Sequence, residues 1–324
     1  FVLATITIMA AFSGNVAPVD SVIMPLLGLA VPVLLIVNLI TALCWALARK
    51  RWALIPLVAF FCNWGYLTSV FQLNLPKDKT PAGKYLKIAT YNIHNFGGEI
   101  TGYSCKEIAR YMQQEGVDVL CFQEFGDNSD FPTDSIRRVL SHWSHALIPS
   151  EDSVKGVLPI AVFSRYPLAN HRFITYQHSS NCSMMCDVVM GTDTIRLINN
   201  HLQTRREVQA AKDAAGTLHE NFMKRATQTY VISHYAKTSP YPVLLCGDFN
   251  SIPSSYTYHH LRKTLKDGFR TAGNGYMYTY RYAKRMLRID YIFHSPSLKG
   301  IAYYSPDLDL CSDHNPVIME VEIQ

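Results

Sequence analysis

The sequence predicts an α/β domain of about 240 residues preceded by transmembrane helices. Three observations predict it. Residues 1–76 carry only four charges, Asp20, Arg49, Lys50 and Arg51, whereas the remaining residues carry 27 basic and 24 acidic side chains. Two long uncharged runs lie in that first part, Ser21–Ala48 and Trp52–Pro76. From Leu86 onward, short β-prone runs alternate with helical stretches and turn signals. With 48% hydrophobic and 17% charged residues the chain is not disordered, and its net charge of +5 is too small to imply nucleic-acid binding by itself.

In chain order, residues 21–48 form one span, rich in Leu, Val and Ile and ending near Trp45, and residues 52–72 form a second, ending in the interface-type residues Tyr66 and Phe71. A third, shorter candidate within residues 1–19 begins without an initiator Met and reads as the remnant of a longer span. A pair of buried core helices is the alternative, but core helices rarely stay uncharged for more than about twenty residues. Arg49-Lys50-Arg51 joins the two strong spans. The positive-inside rule places that connection in the cytoplasm and the soluble part on the extracytoplasmic side. Residues 77–84 read as a polar linker.

Within 85–324, strands are expected at Leu86–Ile93, Val117–Glu124, Gly156–Phe163, Met184–Met190, Thr194–Leu202, Val243–Cys246, Arg288–His294 and Pro316–Ile323. Helices are expected from a Ser104–Glu107 capping box to Gly116, over most of Arg205–Lys237, and over Ser254–Lys266. Cys182 and Cys186, four apart in a polar segment, suit either a disulfide or two thiols. Tyr276–Tyr282 suits a tyrosine-rich strand or hairpin better than a base-stacking or lipid-facing surface.

Polar groups end the apolar strands: Asn92; Glu124; Asn200 and His201; Asp248 and Asn250; and Asp290 with Asp313 and His314. A carboxylate delivered by a buried strand is poorly explained as a solvated face, although a buried structural ion pair is the alternative for each. Glu, Asp and Asn oxygens without clustered thiolates suit a hard divalent cation, and the histidines suit acid–base work near neutrality. Together these describe metal-assisted hydrolysis of a phosphate ester.

The motifs Ala-Thr-Tyr-Asn-Ile-His, Phe-Gln-Glu, Asn-Asn-His-Leu, Gly-Asp-Phe-Asn-Ser-Ile-Pro, Arg-Ile-Asp-Tyr-Ile-Phe and Ser-Asp-His-Asn-Pro occur in the order of the endonuclease/exonuclease/phosphatase superfamily, which the chain resembles from about Lys84 to Glu322. The resemblance implies a four-layer α/β-sandwich and a Mg²⁺- or Mn²⁺-dependent phosphoesterase. It implies Glu124 as principal metal ligand supported by Asn92 and Asp313. Asp248 and Asn250 would orient water and phosphate, His314 would contact the phosphate with Asp290 orienting its ring, and His201 would match the second histidine of the deoxyribonuclease and sphingomyelinase branches. Which of His314 and Asp248 takes the proton of water stays open. His94 stands where some repair endonucleases have Asp, which argues against a DNA-repair role. Arg165 suits a substrate-binding rim and a structural ion pair equally. The expected substrate is a phosphodiester, of nucleic acid or of a phospholipid headgroup, or a phosphomonoester, and no protein partner is implied. A catalytically inactive, membrane-tethered module that binds a phosphate ligand is the alternative.

Overall fold

A computed structural model describes residues 1–74, 83–150, 155–204 and 214–323. The expected linker therefore lies largely outside the described residues, as does the start of the Arg205–Lys237 stretch. Four helices come first: α1 (Val2–Ala11), α2 (Ile23–Leu47), α3 (Leu54–Cys62) and α4 (Trp64–Val70). α2 is apolar and uncharged over 25 residues, long enough to cross a membrane; Arg51–Cys62 and Trp64–Val70, which contain α3 and α4, are together also long and apolar enough, but bend by 62°. The second span expected over 52–72 thus takes the form of two helices with a break between them. Asn63 sits at the break, with non-helical backbone angles, and its amide donates to Ala59 O and Thr7 O, both at 3.1 Å. Asn38 of α2 donates to Thr7 Oγ1 at 2.6 Å, so two buried amides tie three helices together around one threonine.

The strands β1 (Phe71–Gln72), β2 (Tyr85–Asn92), β3 (Val119–Gln123), β4 (His145–Leu147), β5 (Ile160–Ser164), β6 (Leu168–Thr175) and β7 (Cys182–Met190) are followed by β8 (Asp193–His201), β9 (Val243–Asp248), β10 (Lys266–Asp267), β11 (Gly275–Tyr276), β12 (Asp290–His294), β13 (Leu298–Tyr304) and β14 (Val317–Ile323). Between them lie α5 (Tyr103–Gln114), α6 (Thr133–Val139), α7 (Ala214–Lys237), α8 (Tyr256–Leu261) and α9 (Gly268–Ala272). One six-stranded sheet runs β13-β14-β2-β3-β5-β4, the other β10-β12-β9-β8-β7-β6. They pack face to face through Leu86, Ile88, Val119, Val162, Leu197, Leu244 and Met319. α5 and α6 cover the outside of the first sheet with Ile108, Met112 and Ile136, and α7 and α8 cover the second with Ile232, Tyr258 and Leu261, giving four layers. β3 is buried along its whole length because it is sandwiched on both faces, which is why it reads as Val-Leu-Cys-Phe-Gln without alternation.

Several local expectations are corrected. The capping box at Ser104–Glu107 does not form: left-handed Gly102 precedes α5, and Glu99 instead accepts from the Ser104 N–H and hydroxyl. The helix expected over Ser254–Lys266 is one turn and a half, started by the Ser255 hydroxyl accepting from Tyr258 N. Cys182 and Cys186 lie on one strand, about 13 Å apart at the rise of an extended chain, so they cannot pair, and both are free thiols.

The helical unit docks on the sandwich. Ser13 Oγ donates to Ser254 O (3.0 Å), Ser254 Oγ to Gly28 O (2.7 Å), and Arg288 Nη1 to Ser69 O (2.8 Å). β1 pairs with β11. A Cβ on Gly14 would lie 2.5 Å from the His259 ring, so glycine there permits the close approach.

Candidate functional site

The site grows from two parallel strand pairs that end on the same side. β2 and β3 run parallel with Asn92 opposite Gln123, which puts Glu124 just past the strand end; β8 and β9 run parallel with His201 opposite Asp248. Antiparallel β12 begins at Asp290, directly opposite Asp248. The segment before β14 supplies Asp313 and His314. Gly247 makes the β8–β9 approach possible, since its φ is +132° and a Cβ would sit 1.9 Å from Asn200 O. That is the physical content of Gly before Asp248.

The side chains converge. Asn92 Nδ2 donates to Glu124 Oε1 (3.2 Å) and to Asp248 Oδ2 (3.1 Å), while its oxygen accepts from His94 N–H (3.1 Å). His201 Nε2 lies 3.8 Å and 3.7 Å from those same two carboxylate oxygens. His314 Nδ1 donates to Asp290 Oδ2 at 2.9 Å, and its Nε2 points toward Asp248 Oδ2 at 3.7 Å and Asp313 Oδ1 at 3.9 Å. Asn250 N–H donates to Asp248 Oδ1 (2.8 Å), but its side-chain amide donates to Leu202 O (3.0 Å). Burial alone would lower the His314 pKa; Asp290 and Asp248 outweigh it and carry it up to about 10, so the ring is an imidazolium. Burial likewise pushes the Asp248 carboxyl up, with His314 opposing.

Of the expected residues, Asn92, Glu124, His201, Asp248, Asp290, Asp313 and His314 are brought together. Asn92 presents its amide nitrogen to both carboxylates and so bridges them. One residue, Arg165, is placed differently from its expected role. Arg165 lies at the opposite end of β3 from Glu124: its N–H donates to Asp118 O and its guanidinium pairs with Asp118 Oδ1 at 3.0 Å. β5 runs antiparallel to β3 and carries Arg165 away from the strand ends that hold Glu124, so the substrate-rim expectation gives way to the ion pair. Asn200 faces away from the site, with its amide on Ser183, Ile198 and Cys246. The next residue back, Asn199, crosses between the sheets instead, exchanging a 2.6 Å bond with Gln123 beneath the site.

Sequence reasoning missed three supports. Tyr280 packs edge-on against His314, with centroids 5.2 Å apart. Thr279 Oγ1 accepts from the N–H groups of Ile289 and Asp290, at 3.0 and 3.1 Å, so the Tyr276–Tyr282 segment, which adds only Tyr276 to a strand and bridges antiparallel to Leu287 through Tyr280, buttresses Asp290. His94 places Nδ1 3.3 Å from Glu124 Oε2, and both residues line an open cleft of about 530 Å³. No spacing rule marks any of the three.

The donor set fits a divalent cation. Asp248, Asp290 and His314 bring ligand-type atoms within 4.8 Å of one another, and Glu124, Asp248, Asp290 and Asp313 bring carboxyl groups to the same strand ends as the imidazolium of His314. Asp290 and Asp248 favour the protonated His314 ring, whose Nε2 then carries a proton in place of a free lone pair, so the Glu124 side, which opens on the cleft, suits a cation better than the histidine side does.

A four-layer α/β sandwich with this cluster at its strand ends fits the class of metal-dependent phosphoesterases. The chain belongs to the Endonuclease/Exonuclease/phosphatase family, whose profile matches residues 89–314. Residues 1–70 match a separate domain family of unknown function, DUF8431. No curated protein matches the chain. Among solved structures, similar folds include an endonuclease/exonuclease/phosphatase from Beutenbergia cavernae (18% identity, TM-score 0.57, covering 74% of this chain and 72% of that one). TDP2 from C. elegans is similar at 17% identity and TM-score 0.57, covering 75% and 76%. The human Nocturnin catalytic domain, solved with a bound sulfate, is similar at 16% identity and TM-score 0.55, covering 76% and 97%. At these identities the likeness is one of fold.

Proposed function

We propose that this chain is a membrane-anchored, divalent-cation-dependent phosphoesterase that hydrolyses a phosphodiester or phosphomonoester, with its catalytic domain on the extracytoplasmic side. The observation that carries the reading is the buried Asp290–His314 pair aimed at Asp248, beside the carboxylate of Glu124 at the mouth of a cleft. Glu124, supported by Asp313, would hold Mg²⁺ or Mn²⁺, and Asn92 fixes the distance between Glu124 and Asp248. When bound, the cation supplies charge neutralisation for the phosphate oxygens. Asp290 holds the His314 ring with Nε2 facing the phosphate position, and the imidazolium binds its negative charge. Asp248, held by the backbone of Asn250, is placed to orient the attacking water, and His201 completes the polar wall.

The membrane part of the reading rests on α2. Its 25 residues extend about 37 Å, enough for a hydrocarbon core of about 30 Å, and Arg49-Lys50-Arg51 follow its end. Residues 1–76 would form the membrane region, 77–84 the linker and 85–324 the catalytic domain. The test uses the full chain in detergent micelles with Mg²⁺ or Mn²⁺ against plasmid DNA, RNA, sphingomyelin, phosphoinositides and a generic phosphodiester. Turnover that a chelator stops and Glu124→Ala removes is the expected result. Binding of phosphate ligands without turnover would favour the inactive module, and chelator-insensitive turnover would sink the metal mechanism.

A further inference from the structure

His94 is held where it is by an unusual backbone. Five consecutive residues, His94 to Gly98, have positive φ, at 46°, 53°, 49°, 69° and 67°. Glycine adopts this conformation freely, but His94, Asn95 and Phe96 do so only at a cost that the surroundings must offset. Several ties that offset it run to Glu124 or to residues around it. Asn95 N–H donates to Glu124 O at 2.8 Å, and His94 N–H donates to Asn92 Oδ1 at 3.1 Å. Phe96 is buried against Phe122 and Phe125, with centroids 6.3 and 6.0 Å away. Gly126 leaves room for the Asn95 amide, since a Cβ there would lie 2.1 Å from its oxygen.

The result is a half-exposed imidazole fixed beside a carboxylate at the edge of the cleft, with Nδ1 3.3 Å from Glu124 Oε2. That separation is close to the roughly 3 Å between neighbouring ligands around a six-coordinate cation whose bonds are near 2.1 Å. The Asn92 oxygen, by contrast, already accepts one bond, from the His94 N–H. We infer that His94 is a cation ligand beside Glu124, so that the site offers a nitrogen as well as oxygens and favours Mn²⁺ over Mg²⁺. The reason is chemical: Mg²⁺ is a hard cation that keeps its waters and takes oxygen ligands, whereas Mn²⁺, although lowest in the first-row series and also at home with oxygen, accepts an imidazole nitrogen more readily than Mg²⁺ does. The inference rests on Glu124 holding the cation, as proposed above.

The test reads binding rather than turnover. Mn²⁺ is titrated into the full chain in detergent, and the bound ion is examined by pulsed electron paramagnetic resonance for coupling to an imidazole ¹⁴N. The variants are His94→Asn, which keeps a residue type tolerant of left-handed backbone, and His94→Ala, each checked for fold by circular dichroism. Expected are a nitrogen coupling that both variants remove, a loss of about 10- to 100-fold in Mn²⁺ affinity, and a smaller loss for Mg²⁺. Coupling that persists in both variants, or Mn²⁺ and Mg²⁺ affinities that fall equally, overturns the assignment. If Glu124→Ala leaves Mn²⁺ binding intact, the reading of the metal site falls and this inference with it. If Glu124→Ala abolishes binding while the His94 variants change nothing, only the role of His94 is overturned.

Discussion

Two clusters of buried charge sit within this chain, and they are built on opposite principles. In the first, where the helical unit meets the sandwich, Arg288 makes two bonds to Asp267, at 2.7 and 2.6 Å, and further bonds to Ser69 O and the Tyr303 hydroxyl. Asp267 also accepts from the Tyr258 hydroxyl and from Phe269 N–H. One positive charge meets one negative charge, and the hydrogen bonds surround both. In the second cluster, the carboxyl groups of Glu124, Asp248, Asp290 and Asp313 outnumber the imidazolium of His314, and Glu124 opens on a cleft. Burial and residue type do not separate the two. Charge balance and access do: the first is a closed latch, the second is short of positive charge on the side that faces solvent.

The comparison breaks most sharply on activity. His314→Ala should abolish turnover, and Asp290→Asn should lower kcat/KM by about 10⁴-fold through loss of ring orientation, with the double variant little worse than His314→Ala. Losses that add in full would show the two side chains acting independently. Arg288→Met should leave the site's chemistry intact but cost about 3–5 kcal/mol, because Asp267 is left buried and unpaired; pairing it with Asp267→Leu should recover most of that. Thermal unfolding of the parent and both variants checks this, and an Arg288→Met protein as stable as the parent would mean the latch contributes nothing net.

A cation should sharpen the same contrast. At a concentration 100 times its Kd, Mn²⁺ or Mg²⁺ should stabilise the parent by about 2.7 kcal/mol, the Arg288→Met variant equally, and Glu124→Ala hardly at all; shifts in unfolding midpoint read the difference. The smallest effect is on pH dependence without cation. The His314 pKa is raised, so its contribution is complete below about 6.5 and is lost as pH rises through about 10. Burial would raise the Asp267 carboxyl, but Arg288 outweighs it and holds the pKa low, so that contribution is present above the usual carboxylate range and is lost as pH falls through the lowered value. His314→Gln should therefore flatten only the alkaline limb of a stability–pH curve, and Asp267→Leu with Arg288→Met only the acid limb.

The sandwich and the main site residues were legible because a buried apolar strand rarely ends in a carboxylate unless that group has a counter-charge or a ligand to meet. Glu124, Asp248 and Asp290 each follow or begin such a run, and the parallel pairing of β2 with β3 and of β8 with β9 then brings their ends together. What was not legible depends on geometry that residue type does not encode. Asn199 and Asn200 differ by one position in a strand, and the pleat sends one between the sheets and the other away. The role of Arg288 depends on Ser69, 219 positions earlier. Nothing in Asn-Ile-His-Asn-Phe announces a left-handed turn, since the strain exists only once Phe96 and Asn95 have found their places beside Glu124. The bend at Asn63 was hidden because no charge interrupts the run from Trp52 to Pro76, and one polar Asn with a nearby Gly65 does not by itself announce a 62° break.

The gap between the two sheets holds Cys121, Cys182, Cys186 and Cys246, all buried and none disulfide-bonded. Burial pushes the thiols of Cys121, Cys182 and Cys186 well above their usual range, so in the closed state they are neither reachable nor nucleophilic. A thiol reagent can modify them only after the sheets part. The chain thus carries a built-in chemical clock: once Cys44, Cys62, Cys105 and Cys311 are replaced by serine, the slow phase of alkylation times how often the sandwich opens, in a region no catalytic side chain occupies.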